Sequence, residues 1–506
     1  MQIRILSLFF LLFPILVSAQ NVKVEWGTEY NVKGLGKTKL LAIENDGYYV
    51  VFGLNNPKVN VRILKYNFQY KVLSEEAHRF EYSGRRLTLH KIIKLNSRIY
   101  GILSYNEWDR NTFISEFKDG HFSNPRKWFE HDFNRRGKFL SNTHSYQDLE
   151  HTISISPNDS SVVYVCGVRK YDKYRPEEFI VAVFDNQMNL KWQKEEELDY
   201  YDTSFFTDKV TVDDSGENVF LIGFTSKKRQ KDAYKVFHIT KDITKEYAIE
   251  LKGKYHTTSV YSFYDKEKEK LVLSGFYKTY NKKYQAGIFH QELDLSTSSF
   301  SKIKYQPFSS KDQLEHKYSI TEFRKLSNGN YQFFASSKVC ALEPQSGMSP
   351  PYRYNEKLRE EEWPIYCFCN QIIFWTTDKD GNFIKRYIYD REIRMEYNTM
   401  GYTLLPDGDS TYLFFVAEGK KDKKPVLNRN NFDLKLLHID VQGNVISDKT
   451  IFQSKYMKYL IEDILTFTYE RKMIFGGRIQ KFNQKLKDFY GKKRLVFGSM
   501  ELDKSN

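Results

Sequence analysis

Histidine and arginine recur in the stretches that lead into a repeated apolar segment. Arg85, Arg86 and His90 precede the copy at Ile99, and His144 and His151 precede the one at Val163. His256, beside Tyr255, precedes Leu271; His316, beside Glu315, precedes Tyr331; and Tyr397 precedes Tyr412. An imidazole titrates near neutral pH. With Arg85 and Arg86 at the mouth of a central channel, four of these brought to one axis (His90, His151, His256 and His316) could hold a metal or work as an acid/base set. Taken singly, each is a solvated loop residue or one paired locally. No HExxH, GxSxG, phosphate-binding loop or EF-hand loop occurs. A carboxylate pair such as Asp199 with Asp202 signals glycoside hydrolysis only with a measured separation. The sequence names no cofactor.

A second set of residues is cationic and follows the same apolar segments. It comprises Lys227, Lys228, Arg229 and Lys231; Lys282 and Lys283 beside Tyr280; Lys420, Lys421, Lys423 and Lys424; and Lys485 and Lys487. A concentrated basic surface attracts polyanions and steers them in. The aromatics among them, Tyr171, Tyr174, Tyr280, Tyr352, Tyr354, Phe482, Phe489 and Tyr490, could stack on sugars or bases. Lysine-rich loops also serve simply to keep a large protein in solution.

Four cysteines are too few for a disulfide framework. Cys166 falls inside a repeat copy and reads as a small buried hydrophobe. Cys340 ends another copy, and Cys367 and Cys369 fall on the strand expected to run back beside it. A bridge from Cys340 to Cys367 or to Cys369 is therefore open. Half a metal site at Cys367-x-Cys369 is the weaker reading, since the spacing is short and no second Cys or His pair stands nearby.

The elements that must position these residues are written in the repeat. Val219 to Thr225 reads Val-Phe-Leu-Ile-Gly-Phe-Thr, and Leu271 to Tyr277 reads Leu-Val-Leu-Ser-Gly-Phe-Tyr. Copies start at 49, 99, 163, 219, 271, 331, 412 and 473, in steps of 50 to 81 residues. The longest step contains an insertion at 341–363, rich in Pro, Glu and Arg. The unit around the third copy predicts four strands: 151–156, 162–168, 179–184 and 190–194. Turns such as Pro157-Asn-Asp159 and Asp185 to Asn189 separate them. The chain holds 37 Tyr and 39 Phe, residues that suit a pleated surface, and shows no convincing helical period. Four short strands recurring at this spacing predict an all-β propeller blade.

The last unit has three strands and no fourth, while Val22 to Trp26 is a spare strand ahead of the first unit. Joining them would close the ring and remove its exposed edges. This predicts eight four-stranded blades in one domain over 20–506, with seven as the alternative. In such a ring the loops from third to fourth strand and first to second lie at one end. The second-to-third and fourth-to-first loops lie at the other. The eight second-to-third loops carry 25 Lys and Arg against 13 Asp and Glu, a net of +12, beside +14 for the whole chain. One end of the ring should therefore be basic.

The Pro-Asp-Gly and Pro-Asn-Asp turns, each followed by an aromatic-rich strand, resemble the repeats of TolB-type and related WD-like bacterial propellers. That resemblance implies fold alone. Residues 1–19 carry Arg4, an apolar run and Val17-Ser18-Ala19, and read as a signal peptide. The run is shorter than the ~20 residues a membrane helix needs, and no later stretch is long and apolar enough. The expectation is an exported protein: periplasmic, associated with the outer membrane, or secreted. The first functional reading is a non-enzymatic binding or scaffold propeller of the cell envelope. Its basic face would engage an anionic glycan, a lipid headgroup or a protein, with nucleic acid the least favoured partner. The alternatives are a lyase or hydrolase of polysaccharide working at the channel mouth, and a subunit of an outer-membrane or secretion assembly.

Overall fold

The computed structural model describes residues 23–27, 30–31, 37–54, 56, 59–105, 111–130, 153–167, 176–201, 205–227, 230–280, 282–309, 311–312, 314, 318–337, 339–342, 365–396, 402–418, 432–452, 459–469, 472–479 and 494–501. All the secondary structure among them is β, and it forms a propeller. Seven blades are built from consecutive strands: Lys37–His78, Thr88–Glu130, Ile153–Tyr201, Phe205–Ala248, Tyr255–Pro307, Tyr318–Glu396 and Thr403–Phe452. We number them one to seven and letter their strands A to D from the axis outward. A closing sheet then joins the two ends of the chain. Its strands Tyr459–Tyr469, Lys472–Ile479 and Arg494–Glu501 are completed by Lys23–Trp26. The register runs from Lys23 opposite Glu501 to Trp26 opposite Gly498, and Tyr30 pairs farther along with Leu495. The seven-blade alternative thus describes the consecutive blades, and the closing sheet stands between the seventh and the first.

Burial explains why the second strand is the legible repeat. A B strand has a neighbouring blade against each face, so Gly47–Leu54 is buried at every position. An outer strand such as Val72–His78 faces solvent and is exposed along most of its length. Each hydrophobic cluster fills one seam between blades. Val163, Val183 and Trp192 of blade three meet Val210, Leu221 and Phe237 of blade four. Phe276 of blade five meets Phe333 and Trp375 of blade six. Tyr48, Val50 and Tyr66 of blade one meet Ile474 and Phe497 of the closing sheet.

The turns at the A-to-B and C-to-D end hold themselves through one repeated device. Asp378 Oδ1 accepts from the backbone N–H groups of Asp380 (2.9 Å) and Asn382 (2.8 Å), and Asn382 Nδ2 donates to Asp378 Oδ2 at 2.7 Å. Asp185 with Asn189 and Asp440 with Asn444 repeat it. The fourth residue of each turn takes a positive φ: Met188, Gly381 and Gly443. The A-to-B turns then link blade to blade. The Asn96 N–H donates to Asp159, the Asn158 N–H to Asp214, and the Ser327 N–H to Asp409. Aspartate thus recurs through the turns of this end.

Candidate functional site

The innermost strands of blades four, five and six bring three chemically active side chains together. Lys209 lies on strand Phe205–Val212, Tyr261 on Tyr255–Asp265 and Glu322 on Tyr318–Lys325. Each of these strands is interrupted by a β-bulge, between Thr207 and Lys209, Thr257 and Ser259, and Ile320 and Glu322. A bulge re-aims the residues that follow it, and bulges concentrate beside active sites. Here two of the three residues, Lys209 and Glu322, come immediately after one.

Lys209 Nζ sits 3.1 Å from the centroid of the Tyr261 ring. No carboxylate among the described residues lies within ion-pairing distance of it. Burial therefore pushes the Lys209 ammonium down to about 7, against the pull of Asp208 and Glu322. Burial likewise holds the Glu322 carboxyl above its usual range despite the charge of Lys209. The Tyr261 phenol is pushed up to about 12, by burial first and by Glu322 second. Around them Tyr234 Oη donates to the Thr258 carbonyl at 3.2 Å, and Phe263 stacks on Phe323 at 3.7 Å. An amine lowered to about 7 beside a carboxyl raised above its usual range can exchange protons with a ligand. Lys209 can equally receive an anionic group, since it has no salt bridge among the described residues to give up.

The outer end of this region assembles residues expected at the basic end. The His256 ring stacks on Tyr280 at 4.4 Å, and His256 is opposite Lys278 in the A–B pairing of blade five. At blade two, Arg85 lies 3.9 Å over the Tyr105 ring. Arg85 and Arg86 belong to a small ribbon, Glu81–Tyr82 paired with Arg85–Arg86, between the first two blades. Arg86 donates to Asn60 Oδ1 at 3.1 Å. The Arg85 contact joins a fourth-to-first connection to the residue just past a second strand, whereas His256 stands on the first strand of blade five, Tyr255–Asp265, and not in the loop before it.

His90 is not at a channel mouth. It sits within strand Thr88–Leu95, Nε2 2.7 Å from Ser104 Oγ, and burial lowers it to about 4. It is neutral and structural. His256 is three blades away in ring order, and no group of three or more His, Cys, Asp or Glu suited to a metal occurs among the described residues. Lys227 is opposite Gln230 at the tip of the blade-four hairpin, with Lys231 on the returning strand, and Lys282 and Lys283 are exposed beside Tyr280. Lys228, Arg229, Lys420, Lys421, Lys423, Lys424, Lys485, Lys487, His151 and His316 lie outside the described residues. Cys166 packs against the core between blades two and three, its thiol pushed up to about 12 by burial.

Sequence reasoning missed Lys209, Tyr261 and Glu322. Each stands in an ordinary strand pattern. A bulge, invisible in composition, precedes Lys209 and Glu322, and bulges recur in the first strands of other blades.

No family model matches the chain, and no curated protein does. Among solved structures, the polysaccharide lyase Uly1 aligns at 10% identity and TM-score 0.37, over 93% of this chain and 100% of that one. A puromycin-hydrolyzing peptidase of Mycobacterium tuberculosis aligns at 8% and 0.38, over 89% and 61%. An oligogalacturonate lyase of Vibrio parahaemolyticus aligns at 10% and 0.35, over 95% and 100%. The propeller is read from this chain's own sheets.

Proposed function

We propose that the protein is an exported binding propeller of the cell envelope. Its working end carries the second-to-third and fourth-to-first loops, with Lys209, Tyr261 and Glu322 on the innermost strands of blades four, five and six. The partner is anionic, an acidic glycan foremost. The observation that carries this reading is the desolvated Lys209 amine, resting on an aromatic ring with no carboxylate in contact among the described residues. A ligand carboxylate or sulfate reaching Lys209 would add a counter-charge in direct contact, which Asp208 and Glu322 supply only at a distance. The exposed lysines beside Tyr280 stand at the entrance.

The test is binding of a defined acidic polysaccharide, polygalacturonate, at low and high salt. Lys209→Met should weaken binding about tenfold or more, the worth of one charge-assisted contact. Reversing Lys227, Lys228, Arg229 and Lys231 together to Glu should weaken it further and flatten its salt dependence. Unchanged affinity in both variants would sink the proposal.

The enzymatic reading is favoured by one specific observation, the lowered Lys209 amine and raised Glu322 carboxyl in one cluster. In that case polygalacturonate incubated with the protein acquires new chain ends. Their appearance would follow the titration of Lys209 and vanish in Lys209→Met. The assembly-subunit reading would call for a contiguous apolar patch, and none of the described residues forms one. The exposed large hydrophobics Leu73, Leu190, Ile243, Tyr284, Ile384 and Ile446 each stand on a different blade.

A further inference from the structure

The sequence leaves Cys340 free to pair with Cys367 or with Cys369, and the backbone register separates the two. Strand Val339–Leu342 runs antiparallel to the start of Ile365–Thr377, with Val339 opposite Phe368, Cys340 opposite Cys367, Ala341 opposite Tyr366 and Leu342 opposite Ile365. Directly opposed residues of an antiparallel pair have Cα atoms about 4.5 or about 5.5 Å apart, according to their hydrogen-bonding class. Both values fall inside the roughly 4.4–6.8 Å that a disulfide spans. Opposed residues also project to the same face of the sheet. Cys369 is the diagonal neighbour of Cys340, about 7–8 Å away, which is at or beyond the limit for bridging without backbone movement.

We propose that Cys340 and Cys367 form a disulfide, with Cys369 remaining a thiol. The bond would tie together the two strands that residues 343–364 connect, Val339–Leu342 and Ile365–Thr377. Its formation removes one proton from each thiol and passes two electrons to a disulfide-bearing oxidant, which is reduced to two thiols. This inference rests on register alone and is independent of the axial site.

The test starts from full-length, fully reduced protein, treated in its folded state with oxidised glutathione, alkylated, and digested without reductant. Mass spectrometry should find a peptide pair joined through Cys340 and Cys367, in the wild type and in Cys369→Ser alike. A second readout uses the tryptic sites Arg353, Lys357 and Arg359 inside the loop. Chain nicked there should migrate as one band on a denaturing gel without reductant and as two with it. Alkylation of both Cys340 and Cys367 after oxidation, a Cys340–Cys369 link in the wild type, or two bands without reductant would each overturn the proposal.

Discussion

At the residue scale, Lys209 is set apart by what surrounds it. A lysine in an unfolded chain titrates near 10.5, whereas here burial brings it to about 7. Between those values the unfolded chain holds a proton that the native one has released, so stability rises with pH across that window. Lys209→Met should abolish that rise, and it should raise the melting temperature most near pH 7. Thermal melts of both proteins from pH 6.5 to 9.5 check this. Glu322→Gln removes a negative charge that helps hold the ammonium, so the Lys209 amine should be more reactive at pH 7. The rate of its labelling by an amine-selective reagent measures that. If the rate is unchanged, Glu322 and Lys209 do not share a site.

The aspartate turns belong to the same scale. Burial tends to raise the Asp440 carboxyl, but donors from Gln442, Gly443 and Asn444 outweigh it and hold the group below its ordinary range. The stabilisation is present above about pH 4 and is lost as pH falls through the lower native value. Asp440→Ala should cost about 1–2 kcal/mol at pH 7, the net worth of such hydrogen bonds. Asp440→Asn keeps the Oδ1 acceptor and should cost less, while flattening the acid limb of the stability curve. Denaturant titration at pH 3 and pH 7 distinguishes them.

At the scale of elements, turns of one blade seat on strands of the blade before. A Cβ at Gly443 would come 2.3 Å from Thr376 Oγ1, and one at Gly381 would come 2.3 Å from the buried His290 ring. Both glycines have a positive φ, which by itself costs an alanine about 1–2 kcal/mol. Gly408 also has a positive φ, but nothing lies within 4 Å of its added Cβ. Gly408→Ala should therefore cost the backbone term alone. Gly443→Ala should cost at least about 1 kcal/mol more, through overpacking of the seam. Equal losses in denaturant titration would show that the seam is slack. Arg324 makes a related clamp, donating to the carbonyls of Ser410 (2.6 Å) and Gly408 (2.7 Å) and tying blade six to the turn of blade seven.

At the scale of the whole molecule, the ring depends on two short N-terminal strands, Lys23–Trp26 and Tyr30–Asn31, pairing with the last strand. Without Lys23–Trp26, strand Arg494–Glu501 becomes an open edge, with unpaired N–H and C=O groups ready to pair with another chain. Deleting residues 20–31 should therefore give a protein that self-associates and melts earlier. Adding the peptide of residues 20–31 in trans should reverse this. Size-exclusion chromatography at several concentrations reads the outcome, and a monomeric, equally stable deletion would contradict the closure.

What the sequence determined by itself was the local and the periodic. Apolar B strands such as Val219–Lys227 are sandwiched on both faces, so their composition announces them. The Asp-to-Asn turns satisfy their hydrogen bonds within five residues, and the spare strand at the N-terminus matches the missing one at the C-terminus. Tertiary structure alone decided the rest. His90, which heads a list of mouth residues when the sequence is read, is folded into a strand and silenced by burial. Cys340 stands opposite Cys367 rather than Cys369 only once a register exists. Lys209, Tyr261 and Glu322 are separated by 52 and 61 residues along the chain. Their meeting depends on the curvature of the ring and on the bulges that turn Lys209 and Glu322, and no local pattern encodes a contact between strands of different blades.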